Sequence, residues 1–271
     1  MPERRRVGRM AVLGAALLAA GCPRANIAVV IPFVATINGQ PFSCSSGAGD
    51  FSPADLRFYV HGIDLIDSGG AAVPLALDAD GEWQSGGVAL IDFENGADHC
   101  ADGTRGTHTA VTGHAPPGHY VGLRFVLGVP FDRDHADPAE AEPPLNLGRM
   151  HWGWQGGYKF FRFEGEDATG AFRLHLGSTA CEGTIGHITR CAHPNRAAVQ
   201  LDGFTPARST VHLELAPLLR ALQANAPPGS RTFSCMSDVD DPRCHAPFAA
   251  LGLDPVTGAS TGAQVLFSAQ A

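Results

Sequence analysis

The run Leu56-Arg57-Phe58-Tyr59-Val60-His61 decides the fold class. Leu56, Phe58 and Val60 alternate with Arg57, Tyr59 and His61, a period of two that fits a strand with unlike faces, and the apolar pattern carries on to Ile66. Strand patterns recur on both sides of it. Residues 28–37 are apolar and β-branched, and further runs lie at 73–77, 87–93, 107–113, 119–129, 158–164, 171–176, 197–201 and 210–215. Only 216–224 and 247–251 read as short helices. Many strands without alternating long helices predict a mainly β chain, an antiparallel sandwich or barrel-like single domain with short helices and disulfide-clipped loops.

Composition agrees. The chain has 271 residues, among them 33 Gly and 20 Pro, which favours turns over long helices. A charged fraction of 17% with 44% hydrophobic residues excludes wholesale disorder and allows a substantial core. Lys159 is the one lysine, and the formal charge is −8. An acidic chain is a poor polyphosphate binder, so no nucleic-acid partner is expected.

Residues 1–21 read as a signal peptide: Arg4, Arg5, Arg6 and Arg9 precede an apolar run from Met10 to Ala20 that is too short to span a bilayer. Cys22 follows the small residues Ala19, Ala20 and Gly21, as in bacterial lipoproteins, although Ala19 stands where Leu is commoner. The expectation is a periplasmic protein lipidated at Cys22, with residues 22–33 as a tether and 34–271 as the β domain. Without the signal, the formal charge moves from −8 to −11.

Setting Cys22 aside leaves Cys44, Cys100, Cys181, Cys191, Cys235 and Cys244, an even set suited to disulfides in an exported chain. Spacing favours Cys181–Cys191 and Cys235–Cys244 as local clips, with Cys44–Cys100 as the long bridge. No C-x-x-C pair points to a thiolate zinc site, and no C-x-x-C-H can hold a c-type haem. The hydrolase elbow, the phosphate loop and the H-E-x-x-H helix are also absent from the sequence.

Twelve histidines suit copper, zinc or nickel. His135 lies in the long irregular segment 130–157, a length more typical of functional loops than of simple connections. His175 alternates with Leu174 and Leu176, whereas His61, His119 and His212 read as solvent-facing strand residues. Trp152 and Trp154, two apart on an extended segment, should share a face and either plug a core or form a ligand platform.

Four stretches carry a resemblance to a known family. Met150-His151-Trp152-Gly153-Trp154-Gln155-Gly156-Gly157-Tyr158-Lys159-Phe160 resembles the M-x-W-x-W-Q-x-G-Y-K-F signature of MbnP-type proteins, the metallo-mystery pair four-Cys motif family. His135-Ala136-Asp137-Pro138 fits the same pattern, as does His175-Leu176-Gly177-Ser178-Thr179-Ala180-Cys181, in which Ala180 replaces a Gly. Cys235-Met236-Ser237 and the later Asp241-Pro242-Arg243-Cys244 resemble the family's C-terminal segment.

The resemblance implies a periplasmic copper-binding protein, not an enzyme. Its partner would be a di-haem, MauG-like oxidase of the MbnH type, which converts a tryptophan to kynurenine. The aryl amine so formed is a nitrogen ligand that intact Trp lacks, and with imidazoles it makes a low-coordinate site suited to Cu(I). Carried onto this chain, His135 and His175 are the ligand histidines and Trp152 or Trp154 the modified residue. His151 departs from the family pattern and is left either as a further ligand or as a neighbour. Two other classes compete: a lipid-anchored scaffold that binds carbohydrate or peptide on the Trp152/Trp154 platform, and a redox partner that relays electrons to a di-haem enzyme.

Overall fold

The computed structural model describes residues 25–271. The expected signal peptide and the expected lipidation site, Cys22, lie outside them. Two β-sheets face each other. The first runs Phe267–Gln270, Thr210–Glu214, Ile27–Ile37, Ala110–Ala115 and Ala76–Leu77 in spatial order. The second runs Ala197–Asp202, Tyr120–Leu127, Ser52–Asp67, Phe161–Asp167, Gly170–Leu176 and Thr232–Cys235, with Val88–Asp92 also paired to Ser52–Asp67.

Phenylalanines from both inner faces interlock. The Phe58 ring stacks on Phe161 at 5.4 Å, while Phe33 and Phe267 of the opposite sheet meet it edge-on at 5.9 and 5.8 Å. Offset and edge-on contacts of this kind add to the burial of large apolar area.

The mainly β expectation holds, with three refinements. The sheets are mixed, because Ile27–Ile37 pairs in parallel with Thr210–Glu214, and Gly170–Leu176 with Thr232–Cys235. Strand pairing begins at Ile27, and Val29, Ile31 and Phe33 are buried in the core, so residues 27–33 belong to the domain rather than to a tether. Their alternating apolar side chains are what place them there. A hairpin missing from the sequence reading, Thr179–Thr184 with His187–His193, is built from Gly, Thr and His residues with little apolar alternation.

The polar face of the long strand is also covered. Arg57 and Tyr59 are fully buried, and His61 is half-buried, its Nδ1 donating to Gly128 O at 2.9 Å. The long segment packs there: Tyr59 Oη donates to Pro144 O at 3.0 Å, and the Tyr59 and Tyr158 rings meet edge-on at 5.8 Å. Arg57 is tolerated in this interior because Asp55 and Glu94 face it at 2.5 and 3.2 Å.

All three disulfides pair as their spacing suggests: Cys44–Cys100, Cys181–Cys191 and Cys235–Cys244. Cys235–Cys244 ties a sheet edge to the helix Pro242–Ala250, whose N-cap Asp241 accepts from Arg243 N. Among the described residues no helix is long and apolar enough to cross a membrane.

Candidate metal centre

The segment 130–157 is an ordered arm fixed by one buried acid. After Pro130, a single helical turn, Phe131–Asp134, points Asp134 inward. Its Oδ1 accepts from Tyr158 N at 3.0 Å; its Oδ2 accepts from Arg196 at 2.9 Å and from Ser178 Oγ at 2.9 Å. Burial pushes the Asp134 carboxyl above its ordinary range, against the pull of Arg196. Gly157, at φ +67°, crosses over it; a Cβ there would sit 2.5 Å from Asp134 O. Only glycine fits this approach without strain.

Asp134 thereby positions the next residue. His135 Nδ1 donates to Trp154 O at 3.0 Å, which fixes the tautomer and leaves Nε2 with its lone pair. That Nε2 lies 3.4 Å from Cys191 Sγ and 3.5 Å from Asp134 Oδ2. His135, Cys181 and Cys191 form a compact group with metal-ligand atoms, but the two sulfurs are bonded to each other and offer no thiolate in this state.

The 3₁₀ turn Gly148–Met150 leads into the small hairpin His151–Gly153 and Gly157–Tyr158. Gly153, at φ +135°, and the turn that follows it break the extended period. The two tryptophans therefore do not form one platform. Trp154 lines a cavity of about 810 Å³ together with His135, His151, Phe131, Asp137 and Ile185. Trp152 lines a separate recess with Gln155, Cys181 and Met236, and its ring lies against Gly177.

The histidines divide in the same way. His151 stacks edge-on against Tyr158 at 4.9 Å, its Nε2 is buried without a hydrogen-bond partner, and burial lowers its pKa. A neutral imidazole with a free nitrogen beside His135 and Trp154 fits a soft or borderline metal ion. His175 is held elsewhere. Its Nε2 donates to Glu164 Oε1 at 2.7 Å, and its ring centroid lies 6.4 Å from that of Trp152. Burial lowers the His175 pKa, and the Glu164 hydrogen bond opposes that shift without reversing it. Glu164 itself is held down to about 2: His175 and Arg162 outweigh the effect of its burial.

The family model MbnP matches residues 26–237. The chain belongs to the MbnP family. The solved structure of MbnP from Methylosinus trichosporium resembles this MbnP-family chain with a TM-score of 0.74 and 29% identity, covering 91% of this chain and 99% of that one. No curated protein matches it. The family match spans every motif around the cavity, and it ends at Ser237, whose Oγ donates to His175 O at 2.8 Å and accepts from Gly177 N at 2.9 Å.

Of the residues nominated from sequence, the fold thus brings His135 and Trp154 together on one cavity and sets His175 beside Trp152. Asp134, which anchors the turn that carries His135, and Glu164, which hydrogen-bonds His175, are not among them. An acid next to a histidine in sequence was one available signal for Asp134. Glu164 had none, since its meeting with His175 depends on the Arg162↔His175 strand register.

Proposed function

We propose that this MbnP-family chain is an exported copper-binding protein rather than an enzyme. In this reading a kynurenine made from tryptophan by a di-haem, MauG/MbnH-type oxidase completes a Cu(I) site in the periplasm, the protein being held to the membrane through a lipid on Cys22. Copper is the cargo. The observation that carries the reading is the meeting of His135, His151 and Trp154 on one cavity, with one imidazole nitrogen oriented and one buried without a partner.

This geometry favours His135, His151 and Trp154 as the ligand set. His175 and Trp152, the other residues the family resemblance nominates, form a second pair whose imidazole is engaged by Glu164. Two imidazoles and an aryl amine suit Cu(I), which accepts few, soft or borderline ligands, and suit hard oxygen-seeking ions poorly. His135 is oriented by the Trp154 carbonyl, the outer-shell support that metal-binding histidines commonly have.

The test is peptide mass spectrometry of the protein co-produced with its haem oxidase, followed by copper titration. We expect a gain of one oxygen with loss of one carbon on Trp154, and one Cu(I) bound per chain. His135→Ala and His151→Ala should each abolish stoichiometric binding, whereas His175→Ala should retain it. An unmodified tryptophan pair, or undiminished binding in the His135→Ala variant, overturns the reading. The size of the cavity favours, as a second reading, a peptide or carbohydrate ligand seated against Trp154 alone; tight binding by metal-free, unmodified protein would support it.

A further inference from the structure

Among the six paired cysteines, Cys191 is the one that is partly exposed; Cys44, Cys100, Cys181, Cys235 and Cys244 are all buried. Thiol–disulfide exchange requires an incoming thiolate to reach a sulfur, so the Cys181–Cys191 bridge is the accessible one. It joins directly opposed residues of the Thr179–Thr184 and His187–His193 hairpin. Opening it does not release the two cysteines from each other. The backbone ladder continues on both sides, Arg190 and Glu182 pair across it at 2.7 Å, and Gln155 Nε2 donates to Cys181 O at 3.2 Å.

The third member of the group is already aimed. His135 Nδ1 is spent on Trp154 O, and Nε2 stands 3.4 Å from Cys191 Sγ. With metal–nitrogen and metal–sulfur bonds of about 2.0 and 2.3 Å, two ligands of a tetrahedral ion lie about 3.5 Å apart. The imidazole and the sulfur are therefore already spaced as two ligands of one ion, and the candidate ligand atoms of all three residues lie within 4.8 Å of one another.

We infer that reduction of Cys181–Cys191 creates a second metal site, with the Cys181 and Cys191 thiolates and His135 Nε2 as ligands for a soft, closed-shell cation such as Cu(I), Zn(II) or Cd(II). The reductant is a dithiol. It gives two electrons and two protons to the disulfide and leaves as its own disulfide; the sulfur–sulfur bond breaks, two thiols form, and metal binding then releases their two protons to solvent. The site has three protein ligands, one fewer than a tetrahedral ion takes. The inference does not require kynurenine, copper or the haem partner. Where both sites exist they share His135, so filling one withdraws a ligand from the other.

The experiment uses chain produced without the oxidase and Cd²⁺ as probe. The protein is reduced anaerobically with dithiothreitol, the reductant is removed, and alkylation with mass spectrometry identifies the opened cysteines. We expect Cys181 and Cys191 to open first. One equivalent of Cd²⁺ should then produce a thiolate-to-metal charge-transfer band that the oxidised protein lacks. His135→Ala should weaken binding at least as much as loss of an outer-shell partner does, about 10–100-fold. Cys181→Ser/Cys191→Ser should abolish the band, with near-ultraviolet circular dichroism reporting whether this variant is folded; should it not fold, the oxidised-against-reduced comparison and His135→Ala still decide. Earlier opening of another bridge, absence of the band after selective opening, or full affinity in His135→Ala each overturns the inference. Copper binding by the oxidised protein is measured separately, so failure here leaves the proposed function standing, and the reverse.

Discussion

The Nε2 of His175 donates to Glu164 Oε1 across 2.7 Å, joining adjacent strands of the larger sheet. Arg162 also reaches Glu164, at 2.8 Å, and Asp55, at 3.2 Å, so His175 ends a chain of charges that runs inward to Arg57. This placement engages His175 structurally and leaves His135 and His151 to the cavity.

The Glu164 carboxyl is held at about 2, against an ordinary value of 4.5. A depressed acid contributes stability that is fully present above its unfolded pKa and is lost as pH falls through the folded one, here between about pH 4.5 and 2. Glu164→Gln should cost about 1–2 kcal/mol at pH 7, with partial exposure screening the pair, and the deficit should vanish near pH 2. Urea unfolding of both proteins across that window checks the sign.

Asp92 behaves in the opposite way. It is fully buried, and burial together with neighbouring Glu94 raises it to about 8 from 3.8, against the pull of Arg57. Its folded form holds a proton that the unfolded form has lost, so its contribution falls as pH rises from about 4 to 8. Asp92→Asn keeps an acceptor for Glu94 N and can donate to Thr104 Oγ1, where Asp92 now accepts. We expect it to stabilise the protein by about 1 kcal/mol or more at pH 8 and to make little difference at pH 4. Thermal unfolding at the two pH values measures this.

Asp134→Ala should be the most damaging substitution near the cavity. It strands Arg196, which is 14% exposed and lies 4.8 Å from the Phe160 ring centroid, without its carboxylate. Breaking such a buried pair from one side costs about 3–5 kcal/mol. Because Asp134 also holds Tyr158 N and Ser178, the copper binding proposed for the cavity should fall with stability. Chemical unfolding gives the first effect and titration below the unfolding midpoint the second.

Gly177→Ala tests the seat of Trp152. A Cβ there would lie 2.5 Å from the Trp152 ring and 2.6 Å from Tyr158 O, so the indole must move. Overpacking of this kind costs about 1–3 kcal/mol. The expected signature is a changed tryptophan emission with destabilisation, while Trp154 stays beside His135. Tryptophan fluorescence of the variant, with and without Trp152→Phe, separates the Trp152 signal from that of Trp83 and Trp154.

The sequence by itself determined the strands whose side chains alternate. Leu56, Phe58 and Val60 had to face one way, because a period of two leaves a strand no other means of burying them together. Its cysteine spacing favoured the disulfide pairs that form, two short loop closures and the one pair left over, and its motifs carried the resemblance to the family. The parallel pairings and the 179–193 hairpin were not legible, since they rest on contacts between distant segments and on residues of little apolar periodicity. The site shows the same division. His135 and both tryptophans could be named from motifs, but which residues meet depends on a left-handed Gly153, a buried Asp134 and a strand register that lines His175 up with Arg162. Local patterns fix which face a side chain takes; which partner waits on that face is decided by packing between segments far apart in the chain, and only the tertiary structure holds that information.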